Sequence, residues 1–270
     1  MTDAPDLIAL KQRMKSTWMA GDFGQIARLN EKAGQEFVGR LDLRPGMKVL
    51  DVACGTGNQS VPAARTGAEV TGLDIATNLL EQARERASKE NLRISFVEGD
   101  AEDIPYDKGQ FDVVLSMFGA MFAPRPERVV SEFLRVCRPG GMIAMGNWTA
   151  NGFVGKQFAL SSRYAPLPPG VVPPTLWGDE SVVAERFGNR ARLQMTRRIF
   201  HFDFPYGPEK VVDLFKTYFG PTKMAFERLD PGKQQAFHDD LLHLWQEHNE
   251  ATDGRTVIRG EYLEVHARPN

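Results

Sequence analysis

Three short segments carry glycines and carboxylates at spacings that suit recognition of a nucleoside. Val49-Leu50-Asp51-Val52-Ala53-Cys54-Gly55-Thr56-Gly57-Asn58 is an apolar run that enters a glycine-bearing turn and then a helical pattern. Glycine lets backbone pass close to a ligand, and a turn at a helix start aims N–H groups at a carboxylate or phosphate. A tight turn that binds nothing is the plainer alternative. Thr71-Gly72-Leu73-Asp74-Ile75 ends a second apolar run on an acidic side chain, which can accept from both hydroxyls of a ribose. A helix N-cap is the other ordinary role for such an Asp. Gly99-Asp100-Ala101-Glu102 brings a further carboxylate to the end of a third run, where it can accept from an adenine amino group. NAD enzymes use the ribose device too, but Gly57-Asn58-Gln59-Ser60 lacks the third glycine of a dinucleotide fingerprint.

Such segments work together only if a scaffold brings their ends to one rim. Short apolar runs alternating with helical segments predict strands at Lys48 to Val52, Glu69 to Asp74, Arg93 to Glu98, Asp112 to Met117 and Met142 to Trp148. Leu79, Leu80, Ala83 and Ala87 give one intervening helix its apolar face, and Val129, Val130, Phe133, Leu134 and Val136 give another. Right-handed crossovers then make a doubly wound α/β sheet. Ahead of it, Leu7, Leu10, Met14 and Trp18 recur at helical spacing, and Asp22 with Gln25 forms a capping box for a second helix running through Phe37. After Trp148, prolines at 166, 168, 169, 173 and 174 predict an inserted loop. Strands near Leu193 to Phe204 and Thr256 to Ala267 close the sheet, with helices at Glu209 to Phe219 and Lys233 to Glu250. The division expected is an N-terminal helical lid at 1–43, a ligand-binding core at 44–150, and an insert with closing strands at 151–270, all in one domain.

From about Arg44 to Trp148 the chain resembles the class I S-adenosylmethionine (SAM)-dependent methyltransferases. The likeness rests on Asp51 to Gly57, Asp74, Gly99 to Pro105, Phe111 to Ser116, and Arg138-Pro139-Gly140-Gly141, in that order. It is similar to the small-molecule enzymes of the ubiquinone and menaquinone methyltransferase group, and to bacterial proteins with segments like Phe118 to Pro124 and Asn147 to Thr149. The resemblance implies a Rossmann-like three-layer sandwich whose seven-stranded sheet has an antiparallel last strand. It further implies SAM as cofactor. Asp51, Ala53, Cys54, Gly55 and Gly57 would surround the methionyl part, and Asp74 would hold the ribose. Ile75 would pack on adenine, Asp100 and Ala101 would meet its edge, and Ser116 and Met117 would lie under the sulfonium. Ala53 departs from the common motif, which has glycine there.

Methyl transfer from a sulfonium needs alignment more than dedicated catalytic groups. Aromatic faces tolerate the positive charge, so Trp18, Phe118, Phe122 and Trp148 are candidate walls, with core packing the alternative for each. Tyr164, Trp177 and Arg163 of the insert are candidates for acceptor recognition. His201, on a strand, is the candidate base for a hydroxyl acceptor. His238, His243 and His248 step by about 140° around a helix, which denies them a shared metal, and they read as surface residues. The two cysteines are too few for a disulfide framework or a structural zinc site. A formal net charge of −2 with mixed signs offers no broad surface for nucleic acid, and no apolar run is long enough to span a membrane. The chain reads as a cytoplasmic enzyme, monomer or homodimer, for a small-molecule acceptor. Alternatives are an NAD-type oxidoreductase and a non-catalytic protein that binds SAM or its demethylated product.

Overall fold

Buried parallel strands read as unbroken apolar runs, and each run above forms a strand in the computed structural model, which describes residues 6–270. The segment before it, where no secretory signal is read, lies outside the described residues. The strands are β1 (Lys48–Val52), β2 (Glu69–Asp74), β3 (Ile94–Glu98), β4 (Phe111–Met117), β5 (Cys137–Trp148), β6 (Ala191–Phe204) and β7 (Thr256–Pro269). They form one sheet in the order β3-β2-β1-β4-β5-β7-β6. Pairs among β1 to β5 are parallel, and β7 runs antiparallel to both its neighbours, β5 and β6. The carboxyl ends of β1, β2, β3 and β4 therefore share a rim, with the order reversing between β1 and β4 as ligand-binding α/β sheets require.

Helices cover both faces. α1 (Leu7–Met19), α2 (Gly24–Ala27) and α3 (Glu31–Gly39) precede the sheet; α4 (Ser60–Arg65), α5 (Thr77–Lys89) and α6 (Pro126–Val136) lie within its parallel part. α6 opens on Pro126 and buries Val129, Val130, Phe133 and Val136, the face its spacing predicts. α7 (Phe153–Tyr164), α8 (Glu180–Phe187), α9 (Pro208–Tyr218), α10 (Gly220–Glu227) and α11 (Pro231–Glu247) belong to the second half.

Two expectations need correction. The helix from Asp22 through Phe37 is split by a 3-10 turn at Arg28–Asn30. Asp22 does accept from Gln25 Nε2 at 2.7 Å, but its other oxygen takes Gln82 Nε2 at 2.9 Å, so no capping box closes. Leu29 then faces outward, 38% exposed. The region after Trp148 opens as α7 rather than as a loop. The prolines begin only at Pro166, and Phe153, Val154 and Gln157 supply α7 with a buried face. Among the described residues no helix is long and apolar enough to cross a membrane.

Candidate functional site

Beyond β1 the chain reverses through a turn with three left-handed residues, Ala53 at φ 56°, Gly55 at 53° and Gly57 at 79°. For Ala53, which carries a Cβ, this conformation costs about 1–2 kcal/mol. A Cβ on Gly55 would meet no protein atom within 4 Å, whereas one on Gly119, past the end of β4, would meet the Ala53 carbonyl oxygen at 2.6 Å. The tips of β1 and β4 thus close against each other and leave space over Gly55. Both glycine N–H groups of the turn are taken. Gly55 N–H donates to Asp74 Oδ2 at 2.8 Å, and Gly57 N–H to the Cys54 carbonyl at 2.9 Å, so neither points at a ligand as anticipated.

Asp74 ends β2 and is 7% exposed; its Oδ1 accepts from Ala76 N–H at 2.8 Å. Burial raises its pKa, which these backbone donors oppose. Asp51 is fully buried. Ser60 Oγ donates to its Oδ2 at 2.5 Å, while Oδ1 has no partner among the described residues. Burial, with a smaller contribution from the neighbouring Asp74 charge, pushes Asp51 up to about 7 against the pull of Ser60. Burial likewise drives the Cys54 thiol well above its ordinary value. Cys54 is therefore a neutral filler, not a thiolate.

The end of β3 is engaged by α1. Lys11 pairs with Asp100, and its Nζ lies 2.6 Å from Glu102 Oε2, which is fully buried and also receives Arg125 Nε at 2.8 Å. Lys15 pairs with Glu98. Burial works against the Lys11 charge, but the bonds to Asp100 and Glu102 more than compensate and raise its pKa. Asp100 Oδ1 accepts from Glu102 N–H at 2.9 Å.

A cavity of about 800 Å³ runs along this rim. Ala53, Cys54, Gly55, Asp74 and Ile75 line one end, joined by Asp100, Ala101 and Met117. Asp51, Gly57 and Ser116 stand behind the wall instead: a Cβ on Gly57 would meet Ala83 and Phe96 at 3.5 Å, and Ser116 Oγ accepts from Ala120 N–H at 3.0 Å. They brace the turn and the β4 tip.

The other end is aromatic, and Trp18, Phe118, Phe122 and Trp148 all line it. Phe118, at φ 64°, stacks on Trp148 with centroids 3.7 Å apart. Trp18 meets Phe122 edge-on at 5.1 Å and Phe219 at 5.8 Å, which carries α1 across the opening.

Four residues anticipated on the acceptor side are not brought to the cavity, the first being Arg163, which pairs with Asp240. Tyr164 donates to Asp240 Oδ2 at 2.7 Å and stacks on Phe237. Trp177 is 1% exposed beneath the Arg186 guanidinium, 4.5 Å from its ring centroid. His201 is exposed, on the opposite face of β6 from the buried Phe200 and Phe202. α7 takes the position assigned to the insert and presents Val154, Gln157 and Phe158 to the cavity. Phe200 and Phe202 of β6, Phe215 and Phe219, and Trp245 of α11 complete that end unforeseen. The period-two spacing of the first pair and the i,i+4 spacing of the second were the available signals. His243 is exposed on α11, with His238 and His248 half-buried.

A cavity across the carboxyl ends of parallel strands, at the point where strand order reverses, is where open α/β sheets bind their ligands. The methyltransferase domain family matches residues 50–145. Rv1403c, an uncharacterized protein of Mycobacterium tuberculosis, is 38% identical over 259 residues, which are 94% of this chain and 93% of that one. Methyltransferase GfsG of Streptomyces halstedii is 38% identical over 130 residues, 47% of each chain. The crystal structure of the YcgJ protein of Bacillus subtilis superposes with a TM-score of 0.62 at 15% identity, covering 88% of this chain and 99% of that one. The chain belongs to the class I SAM-dependent methyltransferases. That membership does not favour the oxidoreductase reading.

Proposed function

We propose that the protein moves the methyl group of SAM to a small-molecule acceptor held at the aromatic end of the cavity. The observation that carries this reading is the cavity's size and continuity. At about 800 Å³ it lies high in the ~300–1,000 Å³ range of single-ligand sites, and it joins a carboxylate-bearing end to an aromatic one without a wall between. The residues also fit the donor. Asp74 brings a buried carboxylate to the lining at the end of β2, and the open space over Gly55 admits a ligand where any side chain would intrude.

In this reading Asp74 holds the ribose, Ile75 packs on adenine, Asp100 and Ala101 border its edge, and Met117 lies under the sulfonium. When bound, SAM supplies a methyl group already activated by its sulfonium leaving group. The chain's own work is to align the two partners and keep water out, and alignment alone is worth roughly 7–11 kcal/mol of barrier in favourable cases. Rings such as Phe118 and Trp148 tolerate the positive charge, and α1 closes the opening as a lid. No histidine lines the cavity among the described residues and Cys54 is neutral, so the reading assigns no general base.

Thermal denaturation with SAM, S-adenosylhomocysteine, NAD and NADP tests the donor, since a ligand of the folded form raises its melting temperature. Both adenosyl compounds should raise it, and the dinucleotides should not. Incubation with methyl-labelled SAM and a metabolite extract should move label into a small molecule. Stabilisation without any transfer would instead indicate a non-catalytic binder.

A further inference from the structure

We infer that the acceptor is an uncharged, largely apolar molecule with one hydrogen-bonding group, and that Gln157 receives that group. This rests on the methyl-transfer reading, because it names the occupant of the same cavity's second half. The charges in the lining are segregated. Lys11, Lys15, Asp74, Glu98 and Asp100 all belong to α1 or to the ends of β2 and β3. They are also already matched: Lys11 with Asp100, Lys15 with Glu98, and Asp74 with two backbone N–H groups. Around Trp148, Phe158, Phe200, Phe202, Phe215 and Trp245 the described lining holds no ionisable side chain. A carboxylate, phosphate or ammonium brought there would lose its water and find no opposite charge, a loss of several kcal/mol per ion. A neutral apolar body would gain the burial of its whole surface.

Gln157 is the exception in that apolar wall. It sits on α7 between Val154 and Phe158, is 5% exposed, and lines the cavity. Its amide forms no hydrogen bond with any described residue and is not sealed off, its atoms opening onto the cavity. The other buried glutamine in the lining, Gln59, is by contrast engaged with Met117 Sδ at 3.4 Å. A ligand that fills this end displaces water from the Gln157 amide, and must offer it a hydroxyl or carbonyl or leave it unpaired in an apolar surround. A site built this way also rejects analogues that lack the group. Gln157 is therefore a specificity-determining residue for the acceptor.

Equilibrium dialysis at saturating S-adenosylhomocysteine, near neutral pH, tests both parts with four probes of one ring system: 2-naphthol, naphthalene, 2-naphthoate and 2-naphthylmethylammonium. The expected order has 2-naphthol about tenfold tighter than naphthalene and both ions at least tenfold weaker than 2-naphthol. Gln157→Leu should lower 2-naphthol affinity about tenfold while leaving naphthalene and S-adenosylhomocysteine binding unchanged. Either ion binding as tightly as 2-naphthol, or no ring probe binding at all while S-adenosylhomocysteine does, overturns the uncharged apolar acceptor. An unchanged naphthol-to-naphthalene ratio in Gln157→Leu overturns the role of that amide. Failure of S-adenosylhomocysteine itself to bind defeats the methyl-transfer reading, a result separate from all of these.

Discussion

The two ends of the cavity are built by different physics. At the glycine turn the walls are strand ends and the residues just after them, locked by local hydrogen bonds and by backbone conformations that few residues adopt: Ala53 and Gly55 at positive φ, and Asp74 clamped by the N–H groups of Gly55 and Ala76. At the aromatic end, Phe158, Phe200, Phe215 and Trp245 come from α7, β6, α9 and α11 and meet only through tertiary packing. A locked turn has one usable geometry, whereas packed rings can be exchanged for others of similar volume at modest cost. On the proposed reading, the first end suits a donor of fixed shape and the second an acceptor whose shape the packed rings can be changed to fit.

The sharpest way to break that contrast is Gly55→Val. A β-branched residue at φ 53° is strained, and its side chain would stand in the open space of the cavity. Calorimetry should record a loss of S-adenosylhomocysteine affinity of about a hundredfold or more, while 2-naphthol binding at the other end persists. Equal loss of both would mean that the ends are not independent.

Asp51→Asn should separate stability from binding. In the folded protein Asp51 titrates at about 7, above its ordinary 3.8. The stability it contributes is complete below 3.8 and is lost as pH rises through 7, where the fold must hold an unpaired carboxylate. The unliganded protein should therefore melt at progressively lower temperature between those limits, and Asp51→Asn should flatten the decline. The same change should leave S-adenosylhomocysteine affinity within a fewfold of the parent, because Asp51 stands behind the cavity wall. A tenfold loss of affinity would instead put Asp51 in contact with the donor.

What the sequence disclosed divides along the same line. Val49 to Val52 and Val113 to Met117 announce central strands because a strand buried on both faces is apolar along most of its length, broken here only by Asp51 and Ser116. Gly55 and Asp74 are legible because their roles are set within a few residues of a strand end. Trp177, Tyr164 and His201 could not be located this way. Whether His201 or Phe202 faces the cavity depends on the register of β6 on β7, where His201 pairs with Arg259 and Phe202 with Ile258, and a slip of one residue exchanges the faces. The dense prolines drew attention to 166–174, while the cavity wall came from α7 just before them.

A smaller effect tests how the aromatic end is braced. Tyr262 packs edge-on against Phe118 at 5.4 Å, and its hydroxyl accepts from Arg40 at 2.9 Å. Arg40 also pairs with the buried Glu264 at 2.6 Å. Burial disfavours the Glu264 charge, yet the His266 ring and the Arg40 guanidinium hold its pKa down at about 2, from 4.5. Its contribution, up to about 3 kcal/mol, is present above 4.5 and lost as pH falls towards 2. Glu264→Gln should lower stability at neutral pH by about 2–3 kcal/mol in urea titrations. It should weaken 2-naphthol a fewfold and leave S-adenosylhomocysteine untouched.

The smallest expected change sits at the boundary between the two ends. Ala53 holds a left-handed conformation that costs about 1–2 kcal/mol, and its methyl lies where the chain past β4 comes closest, at Gly119. Ala53→Gly relieves the strain but adds about 0.5–1 kcal/mol of unfolded-chain entropy, so a net gain of about 0.5–1 kcal/mol is expected, with donor affinity unchanged. A measured loss of stability would mean that the methyl's packing against the β4 tip outweighs its strain. Alanine would then be the residue that fixes the distance between donor and acceptor ends, rather than a tolerated substitute for glycine.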